Sequence, residues 1–174
     1  MKTKSNELTA QNSCGFFQPM TVKSKDPSKV STCKNLTEEP PRSPRIRLGG
    51  YALAARMADK GRATLHGVAG EYHFACPLDQ MLFGFKGVQT DDVRSLLASG
   101  ATDEQLVDWL NSHGTQKTAD EIKEWGAGVE AYLPYEDPES KEWFAEACAK
   151  LGLKPENSTL FDYLETDDAV TFKK

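Results

Sequence analysis

The chain has 174 residues, of which 39% are hydrophobic and 27% charged, so it is long enough for one well-buried domain and too short for two. No apolar run approaches the roughly 18–20 residues that span a bilayer. The N-terminus lacks the apolar stretch of a secretory signal. We therefore expect a soluble, cytoplasmic protein with no membrane contact.

The net charge of -5 is unevenly distributed along the chain. Residues 1–62 carry twelve Lys or Arg against five Asp or Glu, and the remainder is strongly acidic. The positive charges are dilute and lack interleaved aromatic residues, and the acidic part would repel phosphate. We expect no nucleic-acid binding. The four cysteines form no Cys-x-x-Cys pair, which favours free thiols over a disulfide framework.

The first forty residues differ in composition from the rest of the chain. Residues 1–40 are rich in Ser, Thr, Lys, Asn and Pro and show no helical or strand periodicity. They are typical of a flexible, disordered extension. Within them, residues 15–20 form an apolar patch that either is loosely held or docks on the body. Residues 41–170 are expected to form a single helical domain.

Residues 41–48, which we call the strap, combine prolines with positive charge. Pro41 and Pro44 restrict the backbone, so we expect the strap to be stiff. A glycine pair at residues 49–50 follows and opens the first predicted helix. Exposed N–H groups at a helix start, with arginines before them, can hold a phosphate or a carboxylate. No P-loop pattern is present. The arginines concerned are Arg42, Arg45 and Arg47.

The spacing of apolar residues predicts a first helix over residues 50–65 with one broad apolar arc. Arg56, Asp59 and Lys60 fall on the opposite side, which we expect to face solvent. Gly61 lies inside this helix although it costs about 1 kcal/mol relative to alanine. Its presence indicates that another element packs closely there.

The rest of the chain predicts further short helices separated by turns. The patterns favour helices over residues 77–85, from 90 or 91 to a stop at 100, from 102, from 118, from 137 to 152, and over 158–165. Trp109, Trp125 and Trp143 lie at core spacing. The acidic residues 165–168 are expected to be a solvated terminus. No run of alternating β-branched residues is present. The prediction is an all-α domain of six to seven short helices.

A cluster of possible metal ligands follows the first helix. His73 and Cys76 have a workable pair spacing, but no standard zinc-finger or His-Glu-x-x-His pattern is present. We predict no metal and no cofactor, with Cys76 as a small buried residue and His73 at the edge of the core. The polar residues of this segment are His66, Glu71, His73, Cys76 and Asp79.

The same segment also has an acid–base interpretation. Glu71 and His73 alternate with Tyr72 and would project to one side of an extended segment. A cleft against the first helix would bring them near Arg56, Asp59 and Arg62. Asp59 can pair with either arginine one helical turn away and orient its guanidinium. The competing interpretation is a structural network that fixes the strap on the helices.

Several of these stretches together resemble a bacterial family known as domain of unknown function 5069. The resemblance covers about residues 40–170 and leaves the N-terminal extension outside. It implies one compact domain and carries no activity, cofactor or catalytic residue. The stretches that carry it are Pro41-Arg-Ser-Pro44, Leu48-Gly-Gly50, Arg56-Met57, Asp59-Lys60, Arg62-Ala63, Gly70-Glu71-Tyr72-His73 and Cys76-Pro-Leu-Asp79.

Two functional hypotheses follow from these observations. The first is a small helical binding or interaction protein for an anionic small molecule or an acidic peptide segment of a protein partner. The second is an enzyme in which Glu71 or His73 acts as acid or base and an arginine orients an anionic substrate. The oligomeric state stays open. The candidate surface comprises Arg45, Arg47, Tyr51, Arg56, Asp59, Lys60, Arg62, Glu71, His73, Cys76 and Asp79.

Overall fold

A computed structural model describes residues 33–173, and this part of the chain is built from helices. The expectation of an all-α domain is confirmed, because the only strand-like pairing among these residues is an isolated bridge between Leu48 and Tyr51. Two short 3₁₀ turns, Pro134–Glu136 and Pro155–Asn157, join the later helices. The seven α-helices are α1 (Ala54–Leu65), α2 (Pro77–Lys86), α3 (Thr90–Ala98), α4 (Asp103–Ser112), α5 (Ala119–Glu130), α6 (Lys141–Leu151) and α7 (Leu160–Thr171).

Helix α1 lies at the centre of the domain. Every residue from Ala54 to Ala63 is buried, including the four charged ones. The expectation that Arg56, Asp59 and Lys60 face solvent is therefore wrong. That expectation assumed that one face of α1 contacts water. In the structure, α2 and α3 pack on one side of α1, and side chains of the strap and α7 cover the other. At the far end of α1, Leu65 leaves the core and is 43% exposed.

The chain turns sharply before it enters α1. Gly49 and Gly50 adopt positive φ angles of 60° and 89°, and the Leu48–Tyr51 bridge closes the turn with hydrogen bonds of 3.1 and 3.0 Å. A Cβ atom on Gly49 would lie 2.3 Å from a methyl group of Val107, so glycine is required there for both reasons. Helix α1 consequently starts at Ala54 and not at residue 50.

The segment before the strap is packed against the domain. Leu36 is 1% exposed, and its N–H donates to the carbonyl oxygen of Val68 at 2.9 Å. Ordered packing thus begins before residue 40, where the flexible extension was expected to end. Residues 1–32, which include the apolar patch at residues 15–20, lie outside the described residues.

Three helices begin with a reciprocal capping box. Thr102 and Thr118 each accept a hydrogen bond from the backbone N–H three residues later, as their sequences predict. Thr159 does the same with Asp162 at the start of α7. Glycine marks the C-terminal ends of two helices, because Gly100 and Gly152 adopt left-handed conformations after α3 and α6.

Other details of the helices differ from the expectations. Trp143 is 53% exposed and Met81 is 36% exposed, so neither belongs to the core. Helix α6 begins at Lys141 and not at residue 137, and α7 continues to Thr171. Within residues 33–173, no helix has the length and apolarity needed to cross a membrane.

Gly61 is the point of closest approach between α1 and its neighbours. A Cβ atom there would lie 2.4 Å from Leu97 and 3.1 Å from the ring of Phe74. We expect Gly61→Val to lower the free energy of unfolding by about 2 kcal/mol through overpacking. Gly84 in α2 is the matched control, because a Cβ atom added there would meet nothing within 4 Å. Urea unfolding of both valine variants checks this; equal stabilities would contradict the packing.

Candidate functional site

The charged residues of α1 each reach a different part of the domain. Asp59 pairs with the strap, Lys60 with α2, Arg62 with the start of α4 and Arg56 with α7. Among the described residues, no buried side-chain nitrogen or oxygen atom lacks a hydrogen-bond partner. The four charged residues of α1 that sequence reasoning placed on one surface therefore form an internal network.

The strap is joined to α1 and α4 through Arg42. Its Nη2 lies 2.8 Å from Asp59 Oδ1, its backbone N–H donates to Asp59 Oδ2 at 2.9 Å, and its Nη1 contacts Asp103. Arg62 Nη1 also bonds Asp103, at 2.7 Å. Burial alone would raise the pKa of Asp103, but hydrogen bonds and charge from the two arginines bring it below its usual value. The predicted pairing of Asp59 with Arg56 or Arg62 is replaced by pairing with Arg42, because the strap covers this face of α1.

Arg56 forms a buried ion pair with α7. Its Nη1 and Nη2 lie 2.7 and 3.0 Å from the two carboxylate oxygens of Asp168, a bidentate arrangement. Tyr72 donates its hydroxyl to the same carboxylate at 2.6 Å. Burial and the neighbouring Asp168 raise the pKa of Tyr72. The expected solvated terminus at residues 165–168 is thus wrong at Asp168, which is 7% exposed.

Lys60 connects α1 to the start of α2. Its ammonium nitrogen lies 2.8 Å from Asp79 Oδ1 and 3.1 Å from Cys76 Sγ. Asp79 also accepts a hydrogen bond from the backbone N–H of Ala75 at 2.9 Å. Burial raises the pKa of Asp79, although the charge of Lys60 offsets part of this effect. Cys76 is partly exposed, so the expectation that it is buried is not met.

The remaining strap arginines bind acidic side chains of α5 and α7. Arg45 donates to Glu130 at 2.6 Å and to Glu165 at 3.0 Å, and it also contacts Asp162. Arg47 bonds the Gly126 carbonyl oxygen at 3.2 Å and pairs with Glu130. These guanidinium groups hold the strap on the domain and are engaged without a ligand.

The two residues expected to act as acid or base, Glu71 and His73, do not lie beside an arginine as the enzyme hypothesis requires. Glu71 and His73 are both exposed, and no side-chain contact joins either of them to Arg56 or Arg62. His73 lines a shallow depression of about 360 Å³ that Glu71 does not line. The expected convergence of Glu71, His73 and an arginine is therefore absent from residues 33–173. Within the same residues, no group of three or more His, Cys, Asp or Glu side chains could hold a metal ion.

A cleft of about 870 Å³ runs along α5, opposite the turn at residues 49–50. We call it the α5 cleft. Ile122 and several alanines form its apolar wall, and Lys123, Lys117 and Arg47 bring positive charge to it. Sequence reasoning singled out Arg47 and the glycine pair and missed the two lysines. No local motif pointed to them, because the cleft is formed by separate segments of the chain that pack together.

Three basic residues, Arg47, Lys117 and Lys123, line the α5 cleft, and the charge of Lys117 also acts on Glu121. Glu130 is the acidic residue that lines the cleft, and this carboxylate is engaged by Arg45 and Arg47. Burial lowers the pKa of Lys86, and the nearby charge of Lys117 lowers it further.

Asn111 and Tyr51 connect the cleft to the core. Asn111 Oδ1 accepts a hydrogen bond from the Tyr51 hydroxyl at 3.0 Å, and Asn111 lines the cleft. The amide nitrogen of Asn111 remains able to donate to a ligand. Tyr51, a predicted site residue, is 1% exposed and acts as a support for this wall.

These features define a small helical domain that is fixed by ion pairs around a central helix and carries one basic cleft along α5. Residues 38–170 match the family described as Domain of unknown function (DUF5069), and the chain belongs to that family. This confirms the resemblance drawn from the strap and the α1 motifs. A comparison with curated proteins finds no match.

The ion pairs of the strap predict that replacing Arg42 lowers the stability of the domain more than replacing Arg47. We expect Arg42→Ala to lower the free energy of unfolding by about 3 kcal/mol, because Asp59, 4% exposed, loses its partner. Arg47→Ala should cost less than about 1 kcal/mol, since Arg47 is exposed and Glu130 keeps Arg45. Urea unfolding measures both. Equal costs, or a larger cost for Arg47, would contradict the assignment of Arg42 to the buried network.

Proposed function

We propose that this domain is a non-catalytic binding protein that takes a small organic anion in the α5 cleft. The observation that carries the proposal is a basic cleft with an apolar wall whose lysines are not held in ion pairs. Lys117 lies 4.8 Å from the centroid of the Phe85 ring, and its charge also acts on Glu121. Among the described residues, neither Lys117 nor Lys123 forms a salt bridge. This contrasts with the strap arginines, each of which already binds acidic side chains.

The size and chemistry of the cleft support a ligand with an anionic head and an apolar body. Its volume of about 870 Å³ falls within the range of small-molecule sites. The lysines and the Asn111 amide supply donors for a carboxylate or phosphate, and Ile122 supplies apolar contact. An acidic peptide segment of a partner protein is the alternative occupant, and the same lysines would bind it.

The enzyme hypothesis has less support. It requires Glu71 or His73 beside an arginine, whereas both are exposed and the arginines are bound to Asp103 and Asp168. No contact in the described residues favours it. We also propose a bacterial cytoplasm as the site of action, because Cys33, Cys76 and Cys148 are unpaired thiols, as is usual in reducing compartments.

A ligand screen with matched lysine variants tests the proposal. Thermal-shift measurement against small carboxylates, phosphate esters and nucleotides should give at least one anion that raises the unfolding midpoint. The double variant Lys117→Gln, Lys123→Gln should weaken that ligand by about tenfold or more, since charged hydrogen bonds are lost. Lys150→Gln is the control, because Lys150 is an exposed lysine of α6 outside the cleft.

Three results would overturn or redirect this proposal. A panel in which no anion shifts the midpoint contradicts it. A hit whose affinity is the same in the double variant and in Lys150→Gln places the ligand elsewhere. Binding of an oligoglutamate peptide, with no small anion bound, would favour the interaction-protein alternative.

A further inference from the structure

A second group of reactive side chains lies away from the α5 cleft, where α1 meets the start of α2. Lys60, Cys76 and Asp79 form it, and we call it the junction cluster. Lys60 Nζ lies 3.1 Å from Cys76 Sγ and 2.8 Å from Asp79 Oδ1. Lys60 and Asp79 are 3% and 1% exposed, whereas Cys76 is partly exposed. The thiol of a partly exposed cysteine is therefore held beside a buried amine.

Two features of the junction cluster lie directly beside the sulfur of Cys76. Cys76 is the N-cap residue of α2, where the helix dipole and exposed N–H groups favour an anion. The Lys60 ammonium donates its hydrogen bond directly to Sγ. Thiolates are the reactive form of cysteine, and helix starts and lysines are the environments that favour them. Cys148, by contrast, is buried, and burial raises its pKa.

Asp79 provides a place for a proton of Lys60. The carboxylate is within hydrogen-bond distance of the ammonium, so one proton transfer leaves a neutral amine beside the sulfur. Burial raises the pKa of Asp79, which makes this carboxylate a better proton acceptor than an ordinary aspartate. The amine nitrogen needs little movement to reach Sγ, because both atoms are already in contact.

We propose that the junction cluster is an oxidative modification site at which a hydroperoxide causes a reversible sulfur–nitrogen bond between Cys76 and Lys60. The proposal is independent of the α5 cleft. It rests on the contact between the two side chains, on the partial exposure of Cys76 and on the carboxylate beside the amine.

The reaction takes place in two balanced steps. In the first, the Cys76 thiolate attacks an oxygen of the hydroperoxide; the S–O bond forms, the O–O bond breaks, and the leaving oxygen takes a proton to become an alcohol or water. Sulfur is thereby oxidised by two electrons to a sulfenic acid. In the second, the neutral Lys60 amine attacks Sγ; the S–N bond forms, the S–O bond breaks, and the leaving hydroxide takes one proton from the amine to become water. No further oxidant is needed, and a dithiol reverses the link by attack on sulfur.

The crosslink would fix α1 to α2 covalently. It would also join the two ends of the segment between them, residues 61–75, into a covalent loop. This segment contains the exposed Glu71 and His73. The charge of Lys60 would be lost at the same time, so Asp79 would retain a proton. Oxidation would thus replace a buried ion pair with a covalent bond at the same position.

Peptide mapping of the full-length protein after treatment with hydrogen peroxide tests this directly. A modified Lys60 blocks tryptic cleavage, so we expect residues 57–62 to remain uncut and to be joined to residues 63–86. The joined mass should be that of the two peptides with the loss of two hydrogen atoms. Dithiothreitol should release both peptides. Cys33 is the internal control; burial raises its pKa, so it should be oxidised less.

Two variants separate the link from simple oxidation. Cys76→Ser should give no joined peptide. Lys60→Arg keeps a cation beside Asp79 but offers no amine. Oxidation of Cys76 in this variant should therefore end at the sulfenic acid, which dimedone would label. The proposal is overturned if wild-type Cys76 is oxidised while Lys60 is cleaved normally, if Cys33 is oxidised first, or if the joined peptide gains an oxygen. The wild-type map decides these points even where Lys60→Arg does not fold.

Discussion

Helix α1 places four ionised side chains in the interior of the domain, and each of them needs a partner. A buried charge without a partner costs several kcal/mol, so the surrounding elements must supply opposite charges at fixed positions. Arg42 of the strap, Asp79 of α2, Asp103 of α4 and Asp168 of α7 do so. The positions of these elements around α1 follow from this requirement as much as from apolar packing.

This arrangement also decides which positive charges remain for a ligand. The strap arginines were attractive candidates for anion binding, but their donors are occupied by carboxylates of α4, α5 and α7. Within residues 33–173, Lys117 and Lys123 line the α5 cleft without forming a salt bridge. In the function that we propose, the cleft would bind and release an anion while the buried ion pairs around α1 stay intact.

Local signals in the sequence predicted much of the secondary structure. Thr102 and Thr118 start their helices through side-chain and backbone groups within three residues, so neighbouring residues suffice to find them. The polar face of α1 was misplaced because an amphipathic pattern tells which residues are polar, not whether another charged segment covers them. Asp168 was misjudged for the same reason, since its partner lies 112 residues away. The α5 cleft depends on the packing of separate elements and has no local motif.

A double-mutant cycle on Arg56 and Asp168 tests most directly whether paired charges organise the domain. Arg56→Met and Asp168→Leu each leave one buried charge alone, so each should lower the free energy of unfolding by about 3 kcal/mol or more. The double variant should lose far less than the sum, because neither charge remains. Costs that simply add, or single costs below about 1 kcal/mol, would contradict the account.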